Sequence, residues 1–153
     1  MRWLTALTAI LLLGLPLILQ QRAPAGHHPL FAVALWLPPA ILALSALFAI
    51  RGYAIDGHTL WILRPGWKTR IDLRALQSAE VSADAMKGSL RVFGNGGLFG
   101  FIGLFRNTAL GRYRAFATNA ANCVVLRFAE RTLVVTPDRP QQFVAALELT
   151  VSR

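Results

Sequence analysis

What most constrains this chain is where charge is missing. From Trp3 to Leu19 there are seventeen consecutive residues without a charged side chain, and from Leu30 to Ile50 there are twenty-one more. At about 1.5 Å of rise per residue these runs make helices of about 26 Å and about 32 Å, close to the roughly 30 Å thickness of a bilayer's hydrocarbon core. Both are therefore expected to be transmembrane helices, over residues 3–19 and 30–50. The stretch between them, QQRAPAGHHP from Gln20 to Pro29, is polar and rich in Pro and Gly, and reads as a tight connecting loop. Pro16, Pro38 and Pro39 bend such helices without ending them, because neighbouring groups in a membrane satisfy the freed carbonyls. Arg2, the first apolar run and Ala23-Pro24-Ala25 also have the layout of a secretory signal. The run is longer than a usual signal core, which favours an uncleaved hairpin.

Charge returns abruptly at Arg51. Fourteen of the sixteen basic residues and all seven acidic ones lie from there onward, so residues 51–153 carry a net +7 and form a separate, water-facing module. The basic cluster Arg51, Arg64, Lys68, Arg70 and Arg74 follows the second run. By the positive-inside rule this places the module in the cytoplasm, and signal cleavage would leave it on the same side. The expected location is the inner (plasma) membrane, multi-pass. Cys123 is the sole cysteine, which excludes an intramolecular disulfide and fits a reducing compartment. It begins the apolar run Cys123-Val124-Val125-Leu126 and reads as a buried small hydrophobe.

Within the module the apolar period becomes two. Tyr53 to Asp56, Gly57-His58 and Thr59 to Leu63 predict a hairpin, and Arg64-Pro65-Gly66 predicts a second turn. In the next segment Trp67, Thr69, Ile71 and Leu73 alternate with Lys68, Arg70, Asp72 and Arg74, giving a core face and a wet, mainly positive one. Trp61 and Trp67 read as core residues, with a place in the interfacial aromatic belt as the alternative. Further strands are expected over 79–82, 99–105, 111–118, 122–129 and 132–136. Asp138 with Gln141 fits a capping box, Pro140 suits the first turn, and Phe143, Val144, Leu147 and Val151 make the apolar stripe of a final helix. The expected architecture is a membrane-anchored α+β protein. Two N-terminal transmembrane helices precede a pleckstrin-homology-like β-barrel or sandwich of six or seven antiparallel strands, which an amphipathic C-terminal helix closes.

Particular residues carry a family resemblance. They are Arg91-Val92-Phe93-Gly94-Asn95-Gly96-Gly97-Leu98-Phe99-Gly100, Phe105-Arg106-Asn107, Leu110-Gly111-Arg112-Tyr113, Ala117-Thr118-Asn119, and Val134-Val135-Thr136-Pro137 before the helix that contains Phe143. Over Tyr53 to Leu147 the chain resembles the bacterial PH domain proteins that follow one or two membrane spans. The resemblance implies a fold and a location rather than a reaction.

Two candidate sites stand out. Arg64, Lys68, Arg70 and Arg74 form a candidate anionic-lipid face, since each basic residue near an anionic surface contributes about 1 kcal/mol. Arg91, Phe93, Gly94, Asn95, Gly96, Gly97, Leu98, Phe99 and Phe101 form a candidate Gly-rich loop facing the membrane or a partner. The competing reading is a long hairpin whose glycines mark a bulge and whose aromatics fill the core. The run lacks the Lys-Ser/Thr of a phosphate loop. His27, His28 and His58 lack ligand-spaced companions, the carboxylates are scattered singly, and no nucleic-acid-binding pattern is present. The expected function is a non-enzymatic adaptor at the inner membrane surface, with no cofactor, metal, nucleic acid or small-molecule substrate. Its partners are anionic headgroups. The alternative is a structural subunit that binds another membrane protein or itself.

Overall fold

The computed structural model describes residues 6, 10–12, 14, 16–19, 21, 29–96 and 99–151. The chain divides after Phe48 into two units. In the first, the described residues between 6 and 21 are helical, and helix α1 covers Pro29–Leu47. Proline suits a first helical position, where its missing N–H would be unpaired anyway. No charged residue occurs in α1, and apolar side chains such as Val33, Leu37, Ile41 and Leu44 are exposed along it. Phe48 N–H bonds to Ser45 C=O at 3.1 Å and closes the helix with a turn.

The span expected over residues 30–50 is corrected accordingly. The helix stops at Leu47, and Ile50 is buried in the core of the second unit. Nineteen residues give about 28 Å, slightly short of a hydrocarbon core of about 30 Å. Among the described residues no helix is long and apolar enough to cross a membrane. Most of the first expected span, and Ala23-Pro24-Ala25, lie outside the described residues.

The second unit contains β1 (Gly52–Asp56), β2 (Thr59–Leu63), β3 (Lys68–Asp72), β4 (Leu76–Val81), β5 (Leu90–Gly96), β6 (Phe101–Asn107), β7 (Gly111–Ala117), β8 (Val124–Phe128), β9 (Thr132–Val135) and helix α2 (Pro140–Val151). Strands β1-β2-β3 form one antiparallel sheet, and β4-β8-β9-β7-β6-β5 form the other. The fold is thus an open sandwich with a C-terminal helix rather than a closed barrel of six or seven strands. It fails to close at Asp72–Leu76. Asp72 Oδ1 accepts the Arg74 N–H at 2.9 Å and Leu76 N–H bonds Leu73 C=O at 2.9 Å, which turns β4 away to pair with β8. One pairing, β7 with β9, is parallel, because β9 inserts between β8 and β7.

The central strands are covered on both faces, which explains their unbroken apolar runs. On one side Leu60, Ile62, Ile71 and Leu73 meet Phe116, Val124, Leu126, Leu133 and Val135. On the other side Phe105, Tyr113, Ala115, Cys123, Val125 and Val134 pack with Ala85. Asn107 pins this second cover: its Nδ2 donates to Ala85 C=O at 2.8 Å and Ser89 Oγ at 3.0 Å, and its Oδ1 accepts from Leu110 N–H at 2.7 Å. Tyr53 joins the two sheets. Its hydroxyl donates to Phe116 C=O and accepts from Thr136 N–H, while Thr136 Oγ1 accepts from Thr118 N–H at 2.8 Å. Burial raises the Tyr53 pKa, and the Thr136 hydrogen bonds partly offset that rise.

Helix α2 packs against β4. Leu147 is fully buried in the main core, with Phe143 and Val144 against it and Phe143 edge-on to Tyr53. The first helical bond runs from Phe143 N–H to Arg139 C=O at 3.0 Å. Arg139, not the expected Asp138, therefore stands at the N-cap, one residue further along, with Pro140 at the first helical position.

Three outcomes are expected. Leu147→Ala should cost about 2–5 kcal/mol in chemical denaturation, whereas Glu148→Ala on the exposed side should stay within about 0.5 kcal/mol. A Cβ at Gly103 would lie 2.2 Å from Phe93 O, at a backbone φ of +141°. Gly103→Ala is accordingly expected to cost about 1–3 kcal/mol and to strip amide-exchange protection from Leu90–Gly96 while sparing β1 to β3. Burial pushes the Cys123 thiol from 9.0 to about 11. Below pH 9 it is neutral in both states; as pH rises from 9 to about 11 the unfolded chain loses that proton first, so stability falls. Over that window the melting temperature of the native protein should drop faster than that of Cys123→Ala.

Candidate functional site

On β3 the inward side chains Thr69 and Ile71 force Lys68, Arg70 and Asp72 outward. Lys68 lies opposite Leu63, and Arg70 opposite Trp61. Trp61 is therefore on the outer face, half-buried, because Leu60 and Ile62 take the core positions expected for it. Trp67 precedes β3 and is 38% exposed. Arg74 is exposed just beyond the strand. One carboxylate interrupts this basic face: Asp72 is held below its ordinary pKa first by the Arg74 N–H, then by the nearby charges of Arg74, Arg70 and His58.

Arg64 is placed differently from Lys68 and Arg70. Its guanidinium lies 5.6 Å from the Trp67 ring centroid and 5.6 Å from that of Phe116, in the facing sheet. Its buried Nε has no hydrogen-bond partner among the described residues. Burial, and then repulsion from Arg114, lower its pKa. Arg114 itself stacks 5.0 Å from the same Phe116 ring.

Within the Gly-rich run, Arg91 to Gly96 belong to the edge strand β5, and Phe99 and Gly100 form a bend before β6. Gly94 (φ +111°) faces Gly103 (φ +141°), and a Cβ on Gly94 would lie 2.3 Å from Ile102 O. These glycines serve a close approach of two backbones and cradle nothing. Arg91 is exposed and its side chain runs along Gly96. Asn95 lies opposite Ile102 and Gly96 opposite Phe101. Phe99 adopts a left-handed φ of 61°. Gly97 and Leu98 fall outside the described residues. The aromatics divide: Phe101 packs against the buried Phe105, whereas Phe93 points outward, 76% exposed.

Three arginines lie outside both candidate sites expected from the sequence. Arg106 on β6 lies directly opposite Arg112 on β7, and Arg114 lies opposite Leu104; all three arginines are exposed. The alternation Gly111-Arg112-Tyr113-Arg114-Ala115, with Tyr113 and Ala115 buried, was the available signal. Among the described residues the ion pair within 4 Å is Arg127–Glu80, at 3.1 Å, so none of these three arginines is neutralised in that way. Nor do three His, Cys, Asp or Glu residues gather there to hold a metal. The arrangement provides exposed cations on two sheet faces. Its only thiol is buried, with Sγ donating to Ala120 C=O at 3.2 Å.

Comparison with known proteins bears on this fold directly. The sequence profile of the bacterial PH domain matches residues 51–151, the whole sandwich with its closing helix. No curated protein and no solved structure matches the chain significantly. The extent of the profile match establishes that the chain belongs to the bacterial PH domain family.

Proposed function

We propose that this protein is a membrane-anchored, non-catalytic binding module. In this reading its apolar N-terminal segment resides in the inner membrane, and its PH domain works at the cytoplasmic surface on anionic headgroups. The observation that carries it is the composition of α1: nineteen residues without a charge, with large apolar side chains exposed along it. A helix apolar all round belongs in a protein core or in lipid. The chain passes from Leu47 to Gly52 in five residue steps, at most about 18 Å of extended backbone, so a bilayer holding the helix also keeps the domain close. Lys68, Arg70 and Arg74 then offer positive charge to phosphatidylglycerol or cardiolipin. A PH domain is in general a lipid- or protein-binding module, and the family match spans the whole domain.

A second reading has one observation of its own. β5 ends the larger sheet, with Leu90, Val92 and Phe93 exposed, and a free edge of that kind accepts a peptide strand from a protein partner.

The anchor is tested by alkaline extraction of native membranes. Full-length protein should stay in the membrane pellet, and Leu37→Arg with Ile41→Arg should release it, because a charge placed in the hydrocarbon costs about 2.5–3.5 kcal/mol. A C-terminal reporter should be cytoplasmic. Release of the unmodified protein by alkali would remove the anchor from this reading.

A further inference from the structure

The inner face of the six-stranded sheet is not uniformly covered. On β6 and β7 the pair Ile102–Phe116 packs against the main core, the next pair Leu104–Arg114 is exposed, and the pair after it, Arg106–Arg112, is exposed too. Directly paired residues of an antiparallel ladder share a face. Phe93 is paired with Leu104 and Leu90 with Arg106, so both continue this face onto the edge strand, 76% and 75% exposed. Arg64 reaches the same region from the β2–β3 turn, over the Phe116 ring that Arg114 also covers. The result is a patch of four arginines bordered by two protruding apolar side chains, with no carboxylate within ion-pairing distance among the described residues.

Like charges set directly opposite each other destabilise a strand pair, as Arg106 and Arg112 are here. An unneutralised stripe of that kind is complementary to a polyanion, and guanidinium groups match phosphate geometry. Phosphate alone leaves Phe93 and Leu90 in water. A bilayer surface satisfies both demands, since phosphodiesters lie at headgroup height and acyl chains begin just beneath. Strand addition suits this edge less well. The ladder is irregular between Arg91 and Phe93, and the facing positive-φ glycines distort the strand, both features that blunt an edge.

We propose that the Arg106–Arg112–Arg114 face, with Arg64 beside it and Phe93 and Leu90 at its rim, is the surface by which the domain docks onto an anionic bilayer, the two apolar side chains entering the interface. This deepens the membrane reading above and rests on it, adding to the Lys68 and Arg70 face a second contact face with its own apolar rim.

The test uses the full chain. Cys123 is buried, so Phe93→Cys provides one reactive thiol for an environment-sensitive fluorophore. The labelled protein is floated with vesicles of phosphatidylcholine and with vesicles that also contain phosphatidylglycerol. The expected result is a blue shift on the anionic vesicles that weakens as salt shortens the screening length from about 10 Å at 0.1 M to about 3 Å at 1 M. Arg112→Glu with Arg114→Glu should abolish the shift, while Arg131→Glu with Arg139→Glu, exposed and outside either basic face, should preserve it. Labelled Leu90→Cys should repeat the result if Phe93 proves necessary for folding. Flotation with both vesicles but no shift on either overturns this face and leaves the anchor standing. Flotation and a shift on anionic vesicles alone support this face and remove the anchor; no flotation with either overturns both. A shift that survives the Arg112/Arg114 reversal, or one produced by an acidic peptide and not by vesicles, also overturns the proposal, the latter in favour of a protein partner.

Discussion

Burial of three adjacent strands on both faces is the constraint from which the rest of the domain follows. β7, β9 and β8 alternate their side chains between two separate cores, Val124 and Leu126 into one and Val125 into the other, Val135 into one and Val134 into the other. Each core then needs its own cover. The small sheet and α2 supply the first, and the segment after β4, pinned by Asn107, supplies the second. Such a sheet can afford polar or charged side chains only toward its margins. The exposed arginines accordingly appear where β6 and β7 extend beyond the covered region, and the Gly-rich ribbon β5–β6 lies farthest from the centre.

How much of this was legible in the sequence depended on the physical signal involved. The first hairpin, the alternation through β3, the later strands and the closing helix all announced themselves through period two, turn residues or an apolar stripe, and their positions agree within a few residues. β5 did not, because two glycines in LRVFGNG erase both β propensity and alternation. The openness of the sandwich was also hidden. It depends on an Asx turn at Asp72, where a side chain redirects the chain, and on an insertion of β9 that no local pattern encodes. The apolar run ending at Ile50 misled for a simpler reason: hydrophobicity does not distinguish a lipid-facing residue from one in a protein core, and Ile50 belongs to the latter.

The candidate sites show the same limit. Lys68 and Arg70 share the exposed face that alternation assigns them. Arg64 is near them in sequence, yet its guanidinium lies over Phe116, more than fifty residues away along the chain. The long-range register that sets Arg106 against Arg112 is what concentrates charge, and neither residue is conspicuous alone. In a sandwich, charge density is a property of pairing more than of composition. A search for basic clusters along the chain finds the turn-proximal residues and passes over those that two paired strands assemble.

The tyrosine that joins the two sheets also has a mechanical meaning. Tyr53 is the second residue of β1, and Gly52 begins that strand only five residues past the end of α1. Tension applied to the chain before this domain would meet the buried Ile50 side chain, the backbone bond from Arg51 N–H to Leu63 C=O, and then the Tyr53 hydroxyl, held by Phe116 and Thr136, with its ring against Phe143. Peeling β1 from its neighbour therefore requires withdrawing an anchored ring before the strand ladder can open in sequence. The residue that staples the sandwich thus also fastens its first strand at the end where the chain enters the domain.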